Sequence, residues 1–229
     1  MSKDLIIVIG AYGSGKSEYS INLARNLKQN REKVSLVDLD VVNPYFRSRD
    51  MREDFEKEGI RVISPEGEYK YADLPMLSAA IMGVIQDDKM TSVLDVGGDP
   101  AGCRTLARYI QQIQNRGYEM HFVINTKRPF TSNQKEIIQM MQMLESTSRL
   151  KVTELICNTN LMEYTDEKII AQGIEIIEQV ALEKELKFDL FLVLDKHNKK
   201  IPDSIRGKHK KIMKYFLQKP WEIKMPKGI

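Results

Sequence analysis

The run Gly10-Ala11-Tyr12-Gly13-Ser14-Gly15-Lys16-Ser17 constrains this chain more than any other feature. It fits the pattern G-x-x-x-x-G-K-[ST], a phosphate-binding loop. The apolar stretch Leu5–Ile9 precedes it and a helical pattern over Glu18–Leu27 follows, so the loop joins a strand to a helix as the pattern requires. Glycines let backbone N–H groups turn inward at a helix N-terminus, where the dipole favours anions. Gly10, Ala11, Tyr12, Gly13, Ser14 and Gly15 would cradle phosphate oxygens. Lys16 would reach the β- and γ-phosphates, and the Ser17 hydroxyl would bind Mg²⁺.

The rest of the chain alternates in the same way. Strand-length apolar runs occur at Leu5–Ile9, Val34–Asp38, Arg61–Ile63, Ser92–Val96, His121–Asn125, Glu154–Asn158 and Phe191–Leu194. Most are rich in Ile, Val and Leu, as strands buried on both faces should be. Helical periodicity groups Leu74, Leu77, Ile81, Val84 and Ile85 on one face. It groups Ile170, Ile174, Ile177 and Ala181 on another, and Ile137, Met141 and Leu144 on a third, with Thr131 or Ser132 as the N-cap of that last helix. The expected fold is α/β: three layers, a mostly parallel sheet of about seven strands, and helices on both faces. Residues 1–207 would form this nucleotide-binding domain. Residues 208–229 would add a basic C-terminal helix near Lys208–Leu217 and an extended tail, within the domain or appended to it.

Composition excludes other classes. With 42% hydrophobic and 29% charged residues, the 229-residue chain is neither disordered nor membrane-spanning. The N-terminus runs straight into a strand without a signal-peptide pattern, and a cytoplasmic location is expected. Two cysteines, Cys103 and Cys157, make no disulfide framework. The net charge of +3 is uneven. From Lys196 onward there are eleven basic and two acidic residues (Asp203, Glu222), a local +9, which leaves −6 for the body. A solvated face is the plain reading of that basic segment, and an acidic partner is the other. No aromatic platform or nucleic-acid-binding motif accompanies it.

A phosphate loop needs carboxylates for its metal. Leu94-Asp95-Val96-Gly97-Gly98-Asp99 closes the fourth strand, an apolar run ending in Asp, so Asp95 would hold Mg²⁺. Gly97 or Gly98 would offer a backbone N–H to the γ-phosphate. The second strand ends in Val37-Asp38-Leu39-Asp40. Residues two apart on a strand point the same way, so Asp38 and Asp40 would aim together at the cation and the attacking water.

These motifs together resemble the MinD/ParA/CobB-type nucleotide-binding proteins, a group that includes the nitrogenase iron protein, over roughly residues 4–205. Asp95–Asp99 resembles the iron protein's switch II. The resemblance implies that the phosphate-loop strand lies beside the Asp95 strand. It also implies Asp38 near Mg²⁺, Asp40 as the water-activating base and Asp99 as a switch or relay carboxylate. Members with the deviant loop carry a Lys where this chain has Ala11, and that Lys acts across a dimer. Arg47, Arg49 and Arg104 are the candidates to replace its charge. Cys103 is displaced by one residue from the iron protein's pattern, and no cluster is expected.

Guanine-reading loops often carry [NT]-K-x-D; here Asn125-Thr126-Lys127-Arg128 has Arg in place of the Asp, which favours ATP over GTP. The resemblance implies an adenine contact from Asn158, with Asp195 and Pro202 framing the other side of the base. The expectation is a Mg²⁺-dependent ATPase acting slowly as a switch for a protein partner, with a homodimer left open. A phosphotransferase for small molecules or polynucleotide ends is the alternative, with Asn43–Arg52 and Tyr69–Asp73 holding the acceptor. A non-catalytic nucleotide-binding scaffold is the third reading.

Overall fold

Leu5–Ile9 forms β1, with every residue buried, and its alternation divides the core in two. Leu5, Ile7 and Ile9 enter one apolar cluster; Ile6 and Val8 enter the other. Two dry faces on one strand require a layer on each side of the sheet. The computed structural model describes residues 4–39, 49–64 and 74–216. Asp40, Arg47, the side chain of Arg49, most of Asn43–Arg52 and Tyr69–Asp73 lie outside the described residues, as does the chain from 217 onward.

After β1 come α1 (Lys16–Lys28), β2 (Val34–Asp38), α2 (Arg49–Lys57), β3 (Ile60–Ile63), α3 (Leu74–Gln86) and β4 (Thr91–Asp95). Then follow α4 (Pro100–Ala107), α5 (Ile110–Arg116), β5 (Glu119–Ile124), α6 (Gln134–Ser148), β6 (Glu154–Cys157), α7 (Glu167–Lys184), β7 (Leu190–Leu194), β8 (Ser204–Ile205) and β9 (Lys208–Met213). The sheet order is β3-β2-β4-β1-β5-β6-β7-β9-β8, parallel throughout except for the β8–β9 pair. Tyr19, Leu23 and Ala24 of α1 and Phe55 of α2 fill the cluster on one face. Residues of α3 to α7 fill the larger cluster on the other. This is the expected α/β architecture with helices on both faces.

The helical faces fold as their spacing predicts. Ile137, Met141 and Leu144 of α6, and Ile170, Ile174 and Ile177 of α7, are all buried. Each fully buried aliphatic side chain contributes about 1.5–3 kcal/mol relative to exposure. The N-cap of α6 is Asn133, not Thr131 or Ser132: its side chain accepts from the Glu136 N–H at 3.0 Å. Thr131 is instead buried and donates to the Asn125 carbonyl, while the Ser132 hydroxyl bonds the Glu136 carboxylate. The motif is a capping box displaced by one residue.

The expected helix at Lys208–Leu217 is corrected over its described part. Lys208–Met213 is a strand, and all of Leu190–Leu194 pairs with His209–Met213. The cause is local: Arg206 and Gly207 both have positive φ (50° and 73°) and form the two-residue loop of a hairpin with Ile205 opposite Lys208. The boundary at residue 207 therefore falls inside a hairpin of the main sheet. The chain then crosses α1, where Asn22 exchanges two hydrogen bonds of 2.9 Å with the Lys214 backbone. Much of the local positive charge is paired internally. Lys210 is buried against Asp203 at 2.7 Å, Arg206 bonds Glu178 and Lys196 bonds Glu163. Among the described residues, no helix is long and apolar enough to cross a membrane.

Candidate functional site

Parallel strands bring their C-terminal ends to one edge, and the described loops after β1, β4, β5, β6 and β7 leave from that edge. The Gly10–Ser17 loop turns through left-handed backbone at Gly13 (φ 74°) and Gly15 (φ 85°), a conformation that glycine adopts without steric cost. Gly15 is the N-cap of α1 and provides no side-chain cap. The orphan N–H groups of the first helical turn are thus available to an anion. Lys16 and Ser17 begin that helix, each 4% exposed. The Ser17 hydroxyl is buried and has no hydrogen-bond partner among the described residues. Such an orphan is costly unless a ligand completes it. A hard cation with oxygen ligands fits that need.

The carboxylates arrive from the adjacent strands. Asp38 ends β2, Asp95 ends β4, and the two are register partners. Neighbouring strands lie about 4.8 Å apart, so the two aspartates stand side by side, Asp95 on the strand next to β1 and Asp38 one strand further out. Both are buried. Ser20, which the sequence reading did not single out, braces this arrangement. Its single hydroxyl proton is shared between the Lys16 carbonyl at 2.9 Å and Asp95 Oδ1 at 3.1 Å. The signal was its spacing, one turn past Lys16 on the same face of α1. Asp40 lies outside the described residues.

Beyond Asp95 the chain folds against the loop. A Cβ on Gly98 would fall 2.6 Å from the Gly10 carbonyl oxygen and 3.0 Å from the Tyr12 nitrogen, so only glycine allows this approach. Asp99 is the N-cap of α4: its carboxylate accepts from the Gly102 N–H at 2.7 Å, with Pro100 at the first helical position. Arg104 bonds the Pro100 carbonyl of its own helix. Cys103 is buried with its sulfur 3.9 Å from the Gly97 carbonyl, and burial pushes its thiol up to about 12.

On the other side of the loop, β5 and β6 supply the wall. Asn158 donates from Nδ2 to the Ser14 carbonyl at 2.7 Å and stands directly over Gly15, whose Cβ would sit 2.3 Å from that nitrogen. Its backbone N–H bonds Ile124, and Asn160 donates to its Oδ1. Thr126 and Thr159 share a hydroxyl contact of 3.1 Å, and Asn125 bonds Asn160 in both directions. Arg128 lies over the loop tip, its Nε 3.4 Å from a Cβ placed on Gly13. Asp195 opens a 3-10 turn and caps its own next residue at Lys196. Tyr12, Phe130, Leu161 and Tyr164, all exposed, stand on loops of this same edge.

Asn158 is thus engaged with the phosphate loop. Asn158→Ala is expected to weaken nucleotide binding about tenfold whichever base is present, the usual cost of stranding a buried hydrogen-bond partner. Titration with adenine and guanine nucleotides checks this; a loss confined to adenine nucleotides would make Asn158 a base reader instead.

Residues 5–187 match a sequence family described as the CobQ/CobB/MinD/ParA nucleotide binding domain. No curated protein sequence matches the chain. Among solved structures it is similar to the cell division protein FtsY of Thermotoga maritima. That likeness has 18% identity and a TM-score of 0.54, covering 84% of this chain and 62% of that one. It is similar also to chloroplast FtsY of Physcomitrella patens (15% identity, TM-score 0.53, 83% and 59% covered). A third is the signal recognition particle receptor FtsY of Elizabethkingia anophelis in complex with GDP (16%, 0.52, 84% and 58%). The chain spans about three fifths of the length of these structures, and the likeness is one of fold.

Proposed function

Because this chain belongs to the CobQ/CobB/MinD/ParA nucleotide-binding family, we propose that it binds Mg²⁺·ATP at Gly10–Ser17, hydrolyses it slowly and works as a switch for a protein partner. The observation that carries this reading is the buried, unpartnered Ser17 hydroxyl in the first turn of an uncapped helix, beside the strands that end in Asp38 and Asp95. Ser17, Asp38 and Asp95 would hold Mg²⁺, which when bound supplies charge neutralisation on the phosphate oxygens. Lys16 neutralises charge that develops on the β- and γ-phosphate oxygens, from a buried position where such an interaction is strong. Asp40 orients the attacking water and takes its proton as the oxygen bonds phosphorus and the bond to the β-phosphate oxygen breaks.

The switch reading rests on Gly98, packed on the loop, and on Asp99, which ties that segment to α4. A change at the γ-phosphate would move Gly98 and with it the start of α4. The exposed rim of Tyr12, Phe130 and Tyr164 is the surface on which a protein partner would sense it. Adenine is favoured because Arg128 occupies the place of a guanine-reading carboxylate.

Phosphate release, measured with and without candidate acceptors, tests the proposal. Slow acceptor-independent release is expected, reduced in Asp40→Ala by about 10²-fold or more, the scale of general-base catalysis. ATP consumption only with an acceptor would make the protein a phosphotransferase. Tight binding without turnover would make it a scaffold.

A further inference from the structure

On the α1 face of the sheet, away from the nucleotide edge, three side chains from two strands converge. Glu119 and His121 are two apart on β5, and Glu154 lies opposite His121 at the start of β6. His121 Nε2 is 3.5 Å from Glu119 Oε2 and 3.6 Å from Glu154 Oε2. A charge-assisted hydrogen bond would be about 2.7–2.9 Å, so neither contact is one. Nε2 is buried and has no hydrogen-bond partner among the described residues. Bonds of about 2.0–2.2 Å from one tetrahedral ion give ligand-to-ligand edges of about 3.3–3.6 Å, and both separations fall there. The three ligand atoms all lie within 4.8 Å of one another.

We propose that Glu119, His121 and Glu154 bind a divalent first-row transition cation, Zn²⁺ foremost. One imidazole and two carboxylates make a mixed nitrogen and oxygen set suited to such ions, with a fourth position left for water. The second shell is already in place. The Tyr19 hydroxyl lies 3.0 Å from His121 Nδ1. When that nitrogen carries the proton and donates to Tyr19, the Nε2 lone pair faces the two carboxylates. Glu119 is 28% exposed at its side chain and marks the entry route.

Two lysines face the same group. Lys187 Nζ is 3.0 Å from Glu154 Oε2 and 3.6 Å from Asp189, with its side chain 57% exposed. It can leave Glu154 for Asp189 when the cation enters. Lys211 stands near Glu154 as well, and burial holds its ammonium below the usual range, with Glu154 opposing. Both lower cation affinity, so removing the more exposed one should raise it.

Metal content and titration with Zn²⁺, without nucleotide, test the site on the full chain, and Co²⁺ reports the ligands through its visible bands. One tightly bound Zn²⁺ per chain is expected. Glu119→Gln and Tyr19→Phe should each weaken it about 10- to 100-fold, the usual effect of ligand-shell changes. His121→Gln should abolish it, and Lys187→Ala should tighten it. Nucleotide titration of each variant serves as the folding control. Failure of Zn²⁺ to bind either the wild type or Lys187→Ala overturns the proposal. So does binding that survives unchanged in both Glu119→Gln and His121→Gln, which would place the ion elsewhere, the Ser17–Asp38–Asp95 group included.

Discussion

Lys16→Ala is expected to raise the dissociation constant for the proposed ligand, Mg²⁺·ATP, by about 10²- to 10³-fold. Lys16 is the first residue of α1 and is 4% exposed, so in the proposed complex its ammonium would meet phosphate where water competes poorly. Truncating one partner of a buried, hydrogen-bonded charge pair costs about 2–5 kcal/mol, and each 1.4 kcal/mol or so is tenfold in affinity. Lys16→Arg is not a safe substitute: a planar guanidinium is larger than the ammonium and differently directed. Calorimetric titration reads the effect. An unchanged affinity in Lys16→Ala would remove Gly10–Ser17 from nucleotide binding altogether.

Gly98→Ala is the second large effect. The added methyl would meet the Gly10 carbonyl oxygen at 2.6 Å and the Tyr12 nitrogen at 3.0 Å. These are backbone atoms of the phosphate loop, so the loop itself or the Gly97–Asp99 segment must move. Overpacking of this kind costs about 1–3 kcal/mol. Because the displaced group is the ligand cradle, the cost should surface as about 10- to 100-fold weaker nucleotide binding, at roughly 1.4 kcal/mol per decade. Gly83→Ala is the control. It lies in α3 with open space around its Cβ position, and alanine there should be neutral or stabilising by up to about 1 kcal/mol. Equal effects of the two substitutions on nucleotide affinity would show that Gly98 does not matter to the site.

Most of the central strands were legible because they are buried on both faces and rich in aliphatic residues. Val34–Asp38 matches its expected bounds, and most of the others differ by one or two residues. The phosphate loop was legible because its chemistry demands residue types at fixed spacing. So was the neighbourhood of Asp38 and Asp95, since parallel strands end together. Three features were not. Ser20 contributes a hydroxyl that only the packing of α1 on β4 aims at Asp95. β9 hides in a lysine-rich run whose conformation is set by the Arg206-Gly207 turn and by the exposed backbone edge of β7. The Glu119–His121–Glu154 group depends on the register of β5 against β6, which no local pattern encodes. His121 by itself read as an ordinary strand residue.

Of the basic residues from Lys196 onward, Lys196, Lys199, Lys200, Arg206 and Lys214 are exposed, as a solvated face requires, while the side chain of Lys210 is not. The +9 of the C-terminal segment suggested a free basic surface. The Lys210 side chain is buried, donating to the Asn198 and Ile201 carbonyls and pairing with the exposed Asp203 carboxylate, and Lys208 covers the Phe188 ring. A partner that reads positive charge would find the exposed Lys199 and Lys200 before any lysine of β9.

We propose a metal-dependent adenine nucleotide site at the C-terminal edge of the sheet. Titration of the wild-type protein with a non-hydrolysable ATP analogue and its GTP counterpart, each with Mg²⁺ and with a chelator, tests it most directly. Saturable one-to-one binding with Mg²⁺ is expected, tighter for the adenine nucleotide and at least about tenfold weaker under chelation, one hard-cation contribution being worth several kcal/mol. Absence of saturable binding for either nucleotide, or binding indifferent to Mg²⁺, would contradict it.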